Sequence, residues 1–143
     1  NTPVQLLYLP ILKAIFALSR QAPLEAVEHL TTALPYDLAM PGTSFFAKFG
    51  GMYTSYVRGR AYLAAGLGRE AAAEFEKILN NRGVVLADPI GALAHLQLGR
   101  ACVVSGDKTR AQGSYQEFLM HWHHADAEIP VLQDATAEYG ALG

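Results

Sequence analysis

Residues 59–79 read GRAYLAAGLGREAAAEFEKIL, and residues 99–119 read GRACVVSGDKTRAQGSYQEFL. Laid over one another, the two copies share Gly59/Gly99, Arg60/Arg100, Ala61/Ala101, Gly66/Gly106, Ala71/Ala111 and Leu79/Leu119. Phe75 answers to Tyr115, and Ile78 to Phe118. Apart from the arginines, the shared residues are small or apolar; they sit at helical spacing and are interrupted by a Gly-containing turn. A helix–turn–helix unit copied at a fixed period is the sequence signature of a helical repeat array, so the reading is an all-α solenoid. Within each unit the small residues keep two helices close, and Phe75 or Tyr115 fills the space they leave.

Outward from this repeat, the N-terminal region supplies a more degenerate copy. A first helix, about Pro3 to Arg20, is apolar on most of its circumference and is therefore expected to be buried on more than one side. Pro10 either kinks it or marks its true start. Pro23 suits the first position of a second helix, whose Ala26 and Leu30 mimic the Ala71/Phe75 pair. The expected order is hairpin 1 at about 3–34, an irregular linker at 35–51, hairpin 2 at about 52–83, hairpin 3 at about 88–124 and a capping helix at about 129–141. The linker carries Pro41-Gly42 and Gly50-Gly51 as breakers, together with Tyr36, Phe45, Phe46 and Phe49. Gly83 is placed to cap the fourth helix, and Asp88-Pro89 to open the fifth. In the last helix Ile129, Leu132, Ala135 and Tyr139 are expected to face the preceding hairpin, with Gln133, Asp134 and Glu138 toward water. One polar face is what an array needs at its end.

Bulk composition narrows the class. The 143 residues are 51% hydrophobic and 17% charged, with net charge −2. That balance excludes disorder, and so few charges leave apolar surface for a partner or another copy to cover. No basic stripe marks a nucleic-acid surface. No run of ~18 apolar residues exists, and no leader pattern is visible at the start, so the expectation is a cytoplasmic segment without a membrane span, unless a parent chain places it outside the inner membrane. The absence of an initiating Met fits a fragment cut from a longer chain. Cys102, the one cysteine, allows no intrachain disulfide.

The repeat resembles the tetratricopeptide repeat, whose pattern is W-x₂-L-G-x₂-Y…A-x₃-F…P. The second unit offers Gly59, Tyr62, Ala71 and Phe75, and the third Leu98, Gly99, Ala111 and Tyr115. Ser55 and His95 stand in place of the Trp, Arg58 in place of the Leu and Cys102 in place of the Tyr. The closing Pro is missing, and Asn81 to Asp88 accounts for a period longer than the usual ~34 residues. The resemblance implies a right-handed solenoid of about three hairpins plus the capping helix. The stretches PYDLA, YVRGRAYLAA, NNRGVVLADPIGALAHLQLGRA and DAEIPVLQDATAEYGAL also resemble the C-terminal repeat segment of bacterial multidomain serine/threonine kinases and winged-helix regulators. What that implies is an interaction or regulatory module without kinase activity, since none of the kinase motifs is present.

Sites of chemistry are few. Gly66-Leu67-Gly68-Arg69-Glu70-Ala71 matches a dinucleotide fingerprint only in letters, because a helix precedes it where a strand is required. His121 and His124, with Asp126, are weak candidates for Zn²⁺ or Ni²⁺, lacking a distant ligand to complete the set. Cys102 and His95 read as core residues, and Glu74, Glu76 and Lys77 as a solvated face. No enzyme activity and no cofactor are expected. The expected function is protein or peptide binding, with a homodimer as the alternative. In this family the first helix of each hairpin lines a groove, which by register holds Tyr8, Ile11 and Ile15 first. Next come Tyr53, Tyr56, Arg60 and Leu63, followed by Leu93, Leu96, Arg100 and Val103. Arg60 and Arg100 are equivalent, each able to present a guanidinium to a carboxylate or to pair internally.

Overall fold

A computed structural model of the chain describes residues 8–32, 45–81 and 89–143, with backbone alone for 45–51. Its described residues form the helices α1 (Leu9–Ser19), α2 (Pro23–Thr31), α3 (Phe45–Ala64), α4 (Gly68–Leu79), α5 (Pro89–Ser105), α6 (Lys108–His121) and α7 (Pro130–Ala141), without a strand. The protein is all-α. Among the described residues no helix is long and apolar enough to cross a membrane.

Three turns join consecutive helices by one hydrogen-bond pattern. At the end of α3, Leu67 N–H donates to the Tyr62 carbonyl (2.9 Å) and Gly66 N–H to the Leu63 carbonyl (3.0 Å). At the end of α5, Asp107 N–H donates to Cys102 (2.9 Å) and Gly106 N–H to Val103 (3.1 Å). At the end of α1, Ala22 N–H donates to Ala17 (2.9 Å) and Gln21 N–H to Leu18 (3.0 Å). This is the paired Schellman arrangement, which needs a left-handed residue just past the helix. Gly66 (φ +76°) and Gly106 (φ +83°) adopt that conformation freely, whereas Gln21 (φ 59°) is held there despite its Cβ. Pro10, Pro23 and Pro130 lie in the first turns of α1, α2 and α7, where a missing N–H breaks no bond. Asp107 caps α6, its carboxylate accepting from Arg110 N–H at 3.1 Å.

Within the hairpins, large side chains fill gaps beside small ones. A Cβ on Gly59 would lie 2.6 Å from the Phe75 ring, and one on Gly99 would lie 3.0 Å from the Tyr115 ring. Phe75 is fully buried, worth about 2–3 kcal/mol in water-excluded area alone. In the first hairpin Ala14 takes the glycine's place, and the smaller Leu30 takes the ring's place; both are buried in one cluster. Volume is conserved although the residues change. Gly68 serves a different crossing: its Cβ would meet the α5 backbone, 2.7 Å from the Ala101 oxygen and the Ser105 nitrogen. Each helix from α1 to α6 packs on the next one described, and α7 packs on α6. Two buried clusters result, one under α1, α2 and the second half of α3, the other running from α3 to α7.

Four expectations are corrected. The third helix begins at Phe45, ahead of the expected Met52, so residues 45–51, expected in the irregular linker, are helical. Gly50 and Gly51 are carried inside the helix, a tolerable cost of about 1 kcal/mol each. α1 is buried on one side only: Ala14 and Ala17 face the core, while Leu12 and Phe16 are each 62% exposed. Glu74 is not on a solvated face but buried beside Arg58, which donates to it at 3.0 Å; Lys77 donates from the surface at 2.8 Å. Burial pulls the Glu74 pKa upward, and the hydrogen bonds and charges of Arg58 and Lys77 outweigh it, leaving the carboxyl below its ordinary value. Glu138 is half-buried and paired with Arg100 instead of standing free in water, as the groove below makes plain. The expectations for Pro3–Leu7, for Leu34–Ser44 with Tyr36, for Gly83 and for Asp88 lie outside the described residues, as do those for the side chains of Phe45, Phe46 and Phe49.

Candidate functional site

α5 and α7 converge on a single ion pair. Arg100, on α5, donates from Nε and Nη2 to the two carboxylate oxygens of Glu138 on α7, at 2.8 and 2.6 Å. The Tyr115 hydroxyl, from α6, donates to the same carboxylate at 2.7 Å. One carboxylate thus ties three helices together in the planar, two-pronged geometry that arginine favours. The Arg100 hydrogen bond, opposed by burial and reinforced by Tyr115, holds the Glu138 carboxyl below its usual range. The same bond, again against burial, raises the Arg100 pKa. Burial first, then the facing carboxylate, pushes the Tyr115 phenol well up. All three groups keep their ordinary charge states through neutral pH.

Beside the pair lies an open groove of about 570 Å³, with Leu63, Val103, Val104 and Leu142 among its apolar walls and Arg100, Tyr115 and Glu138 at its polar base. The opposite charges of Arg100 and Glu138 cancel, so the groove offers apolar surface around a charge-paired base. Val103 and Val104 are 45% and 48% exposed, which is unusual for valines this close to a core.

Of the residues expected to line a binding surface, Leu63, Arg100 and Val103 meet in this groove. Tyr53 is exposed on α3, and Arg60 is exposed without an ion-pair or hydrogen-bond partner among the described residues. Tyr56 and Leu93 are half-buried against the core. The Tyr56 ring meets Phe75 edge-on with centroids 5.8 Å apart, and its hydroxyl accepts a long bond from Gln97 Nε2 at 3.4 Å. Leu96 is fully buried and can touch no partner. Tyr8 and Ile15 lie on the open side of α1, with Ile11 half-buried on the other. Sequence pattern alone places Glu138 in solvent and Tyr115 in packing, and so misses both at the groove. The signal that points to Glu138 is the spacing of Ala135, Glu138 and Leu142, which share one helical face with the buried alanine.

The remaining chemical candidates are separately accounted for. Among the described residues no three His, Cys, Asp or Glu side chains are placed to hold a metal ion. His121 Nδ1 lies 2.7 Å from the Glu117 carbonyl, and the His121 ring stacks on His95 at 5.7 Å. The His123 and His124 rings lie close together, tilted 41° to one another. Burial holds the His95 pKa down, which favours the uncharged imidazole there. Cys102 is buried, and burial, followed by the Asp107 charge, raises its thiol pKa, which leaves little thiolate. The Gly66–Ala71 segment is the α3–α4 turn and the first residues of α4.

Compared with family models, curated proteins and solved structures, the chain has no significant match.

Proposed function

We propose that the chain is a non-catalytic protein- or peptide-binding scaffold, built as a right-handed, tetratricopeptide-like solenoid of three hairpins with α7 as its cap. The repeated turn bonding and the Gly59/Phe75 and Gly99/Tyr115 pairs support the architecture. The single observation that carries the function is the open groove, whose apolar walls stand exposed around a base with no unmet charge. A partner segment matching it presents apolar side chains to Leu63, Val103 and Val104, and needs no counter-charge for Arg100. The resemblance to bacterial multidomain regulators makes an interaction module of a larger signalling protein the natural setting.

Selection of a displayed random-peptide library on the purified chain tests this reading. Peptides rich in apolar residues are expected to be enriched, and Val103→Glu is expected to abolish their binding by placing a charge on the wall. Enrichment of nothing, or of peptides indifferent to Val103→Glu, would remove the groove as a binding surface.

A further inference from the structure

Five of the eleven large hydrophobic side chains that stand exposed among the described residues are crowded onto α1 and the residue just before it. They are Tyr8 (57%), Leu9 (43%), Leu12 (62%), Ile15 (48%) and Phe16 (62%). At ~100° per residue they occupy one continuous arc opposite buried Ala14 and Ala17. Tyr8, Leu12, Ile15 and Ser19 follow the alternating four–three–four spacing of a coiled-coil seam, with Leu9 and Phe16 widening one flank. Such a stripe fits another helix laid along it, not an extended strand or a small molecule.

Charge selects which helix. No ionised side chain lies in the seam. On its border, Arg20 is already neutralised by Glu25 at 2.9 Å and rests over the Phe16 ring at 4.9 Å, leaving Lys13 as the one uncompensated charge among the described residues of α1. A face with no charge can meet its own copy without like-charge repulsion, as an isologous two-fold contact requires. Taking ~180 Å² for a large side chain, the five expose on the order of 500 Å². With a polar rim this approaches the ~800 Å² that each subunit of a stable dimer contributes.

We propose that this face of α1 docks a second copy of the chain, the two α1 helices packing against each other about a two-fold axis. The inference goes beyond the peptide-binding reading and uses none of the groove residues, so either can fail alone.

Sedimentation velocity across roughly two decades of concentration around 10 µM decides it. The chain is expected to pass from monomer to dimer, and both Leu12→Glu and Phe16→Glu are expected to hold it as a monomer. Because both side chains are exposed, an unchanged helical circular-dichroism spectrum separates lost association from lost folding. Val103→Glu, on the groove, is expected to leave the dimer intact. A chain that stays monomeric throughout would overturn the proposal, leaving the face to a different helix. So would a dimer that survives both α1 substitutions or is dissolved by Val103→Glu.

Discussion

Removing the Glu138 carboxylate tests whether α7 is part of the folded unit or merely leans on it. Glu138→Ala deletes two charge-assisted bonds from Arg100 and the acceptor of the Tyr115 hydroxyl. The Tyr115 residue is only 2% exposed, so stranding its hydroxyl costs about 1–2 kcal/mol. The ion pair itself is discounted, since the Arg100 and Glu138 side chains retain 29% and 34% exposure; about 1 kcal/mol is a fair allowance. The expected loss is ~2–3 kcal/mol, which at ~4 °C per kcal/mol lowers Tm by roughly 10 °C. Urea titration followed by circular dichroism measures the global change, and hydrogen exchange of the α7 amides shows whether α7 opens first. A change below ~0.5 kcal/mol, with α7 protection unaltered, would refute the reasoning.

Acid titration gives the same contact a second, independent reading. The folded Glu138 pKa lies below its unfolded value of 4.5, so the unfolded chain binds the proton first. The stabilisation is fully present above that value and is lost as pH falls through the folded pKa. Glu138→Gln should therefore remove part of the acid sensitivity seen below about pH 4.5 while leaving the profile near neutrality parallel. Glu74, depressed in the same direction, supplies the part that remains. Two further expectations concern the turns and crossings. Gln21→Gly relieves a left-handed residue and should stabilise the chain by about 0.5–1 kcal/mol in urea melts, with a loss of stability counting against the turn geometry. Gly68→Ala drives a Cβ into the α5 backbone and should cost ~3 kcal/mol, whereas Gly59→Ala meets only the Phe75 ring and should cost less; calorimetry giving the reverse order would contradict the crossing as described.

What the sequence makes legible is whatever repeats. Gly59, Gly99, Phe75 and Tyr115 can be paired from the residues alone, because the same steric problem is solved twice at one offset. Gln21 gives no such sign of being a turn residue, since glutamine carries no preference for positive φ and only the bonds from Gln21 and Ala22 reveal it. Gly50-Gly51 reads as a breaker, yet α3 runs through both, because the propensity cost is small against that of a long helix packed on its neighbours. Arg100 stands out through its copy Arg60, but its partner lies 38 residues away on a helix outside the repeat, where no periodicity points to it. Family register places Leu96 in a groove, and the side chain turns instead into the fully buried core.

The two ends of the helix array differ in a way that follows from these same contacts. At the C-terminal end α7 buries only Ala135 fully and turns Gln133 and Asp134 to solvent, while Glu138 neutralises Arg100, the second of the two equivalent arginines. Another hairpin stacked on that end would have to cover polar side chains and compete for a carboxylate that already accepts three hydrogen bonds. At the other end α1 has spent only half of its apolar circumference on α2 and α3, and it presents an uncharged seam on the remainder. The proposed two-fold contact would use this α1 seam and leave α7 of each copy uninvolved. The groove between α5 and α7 shares no residue with the α1 face, so the proposed self-association and the proposed peptide binding would not compete for surface.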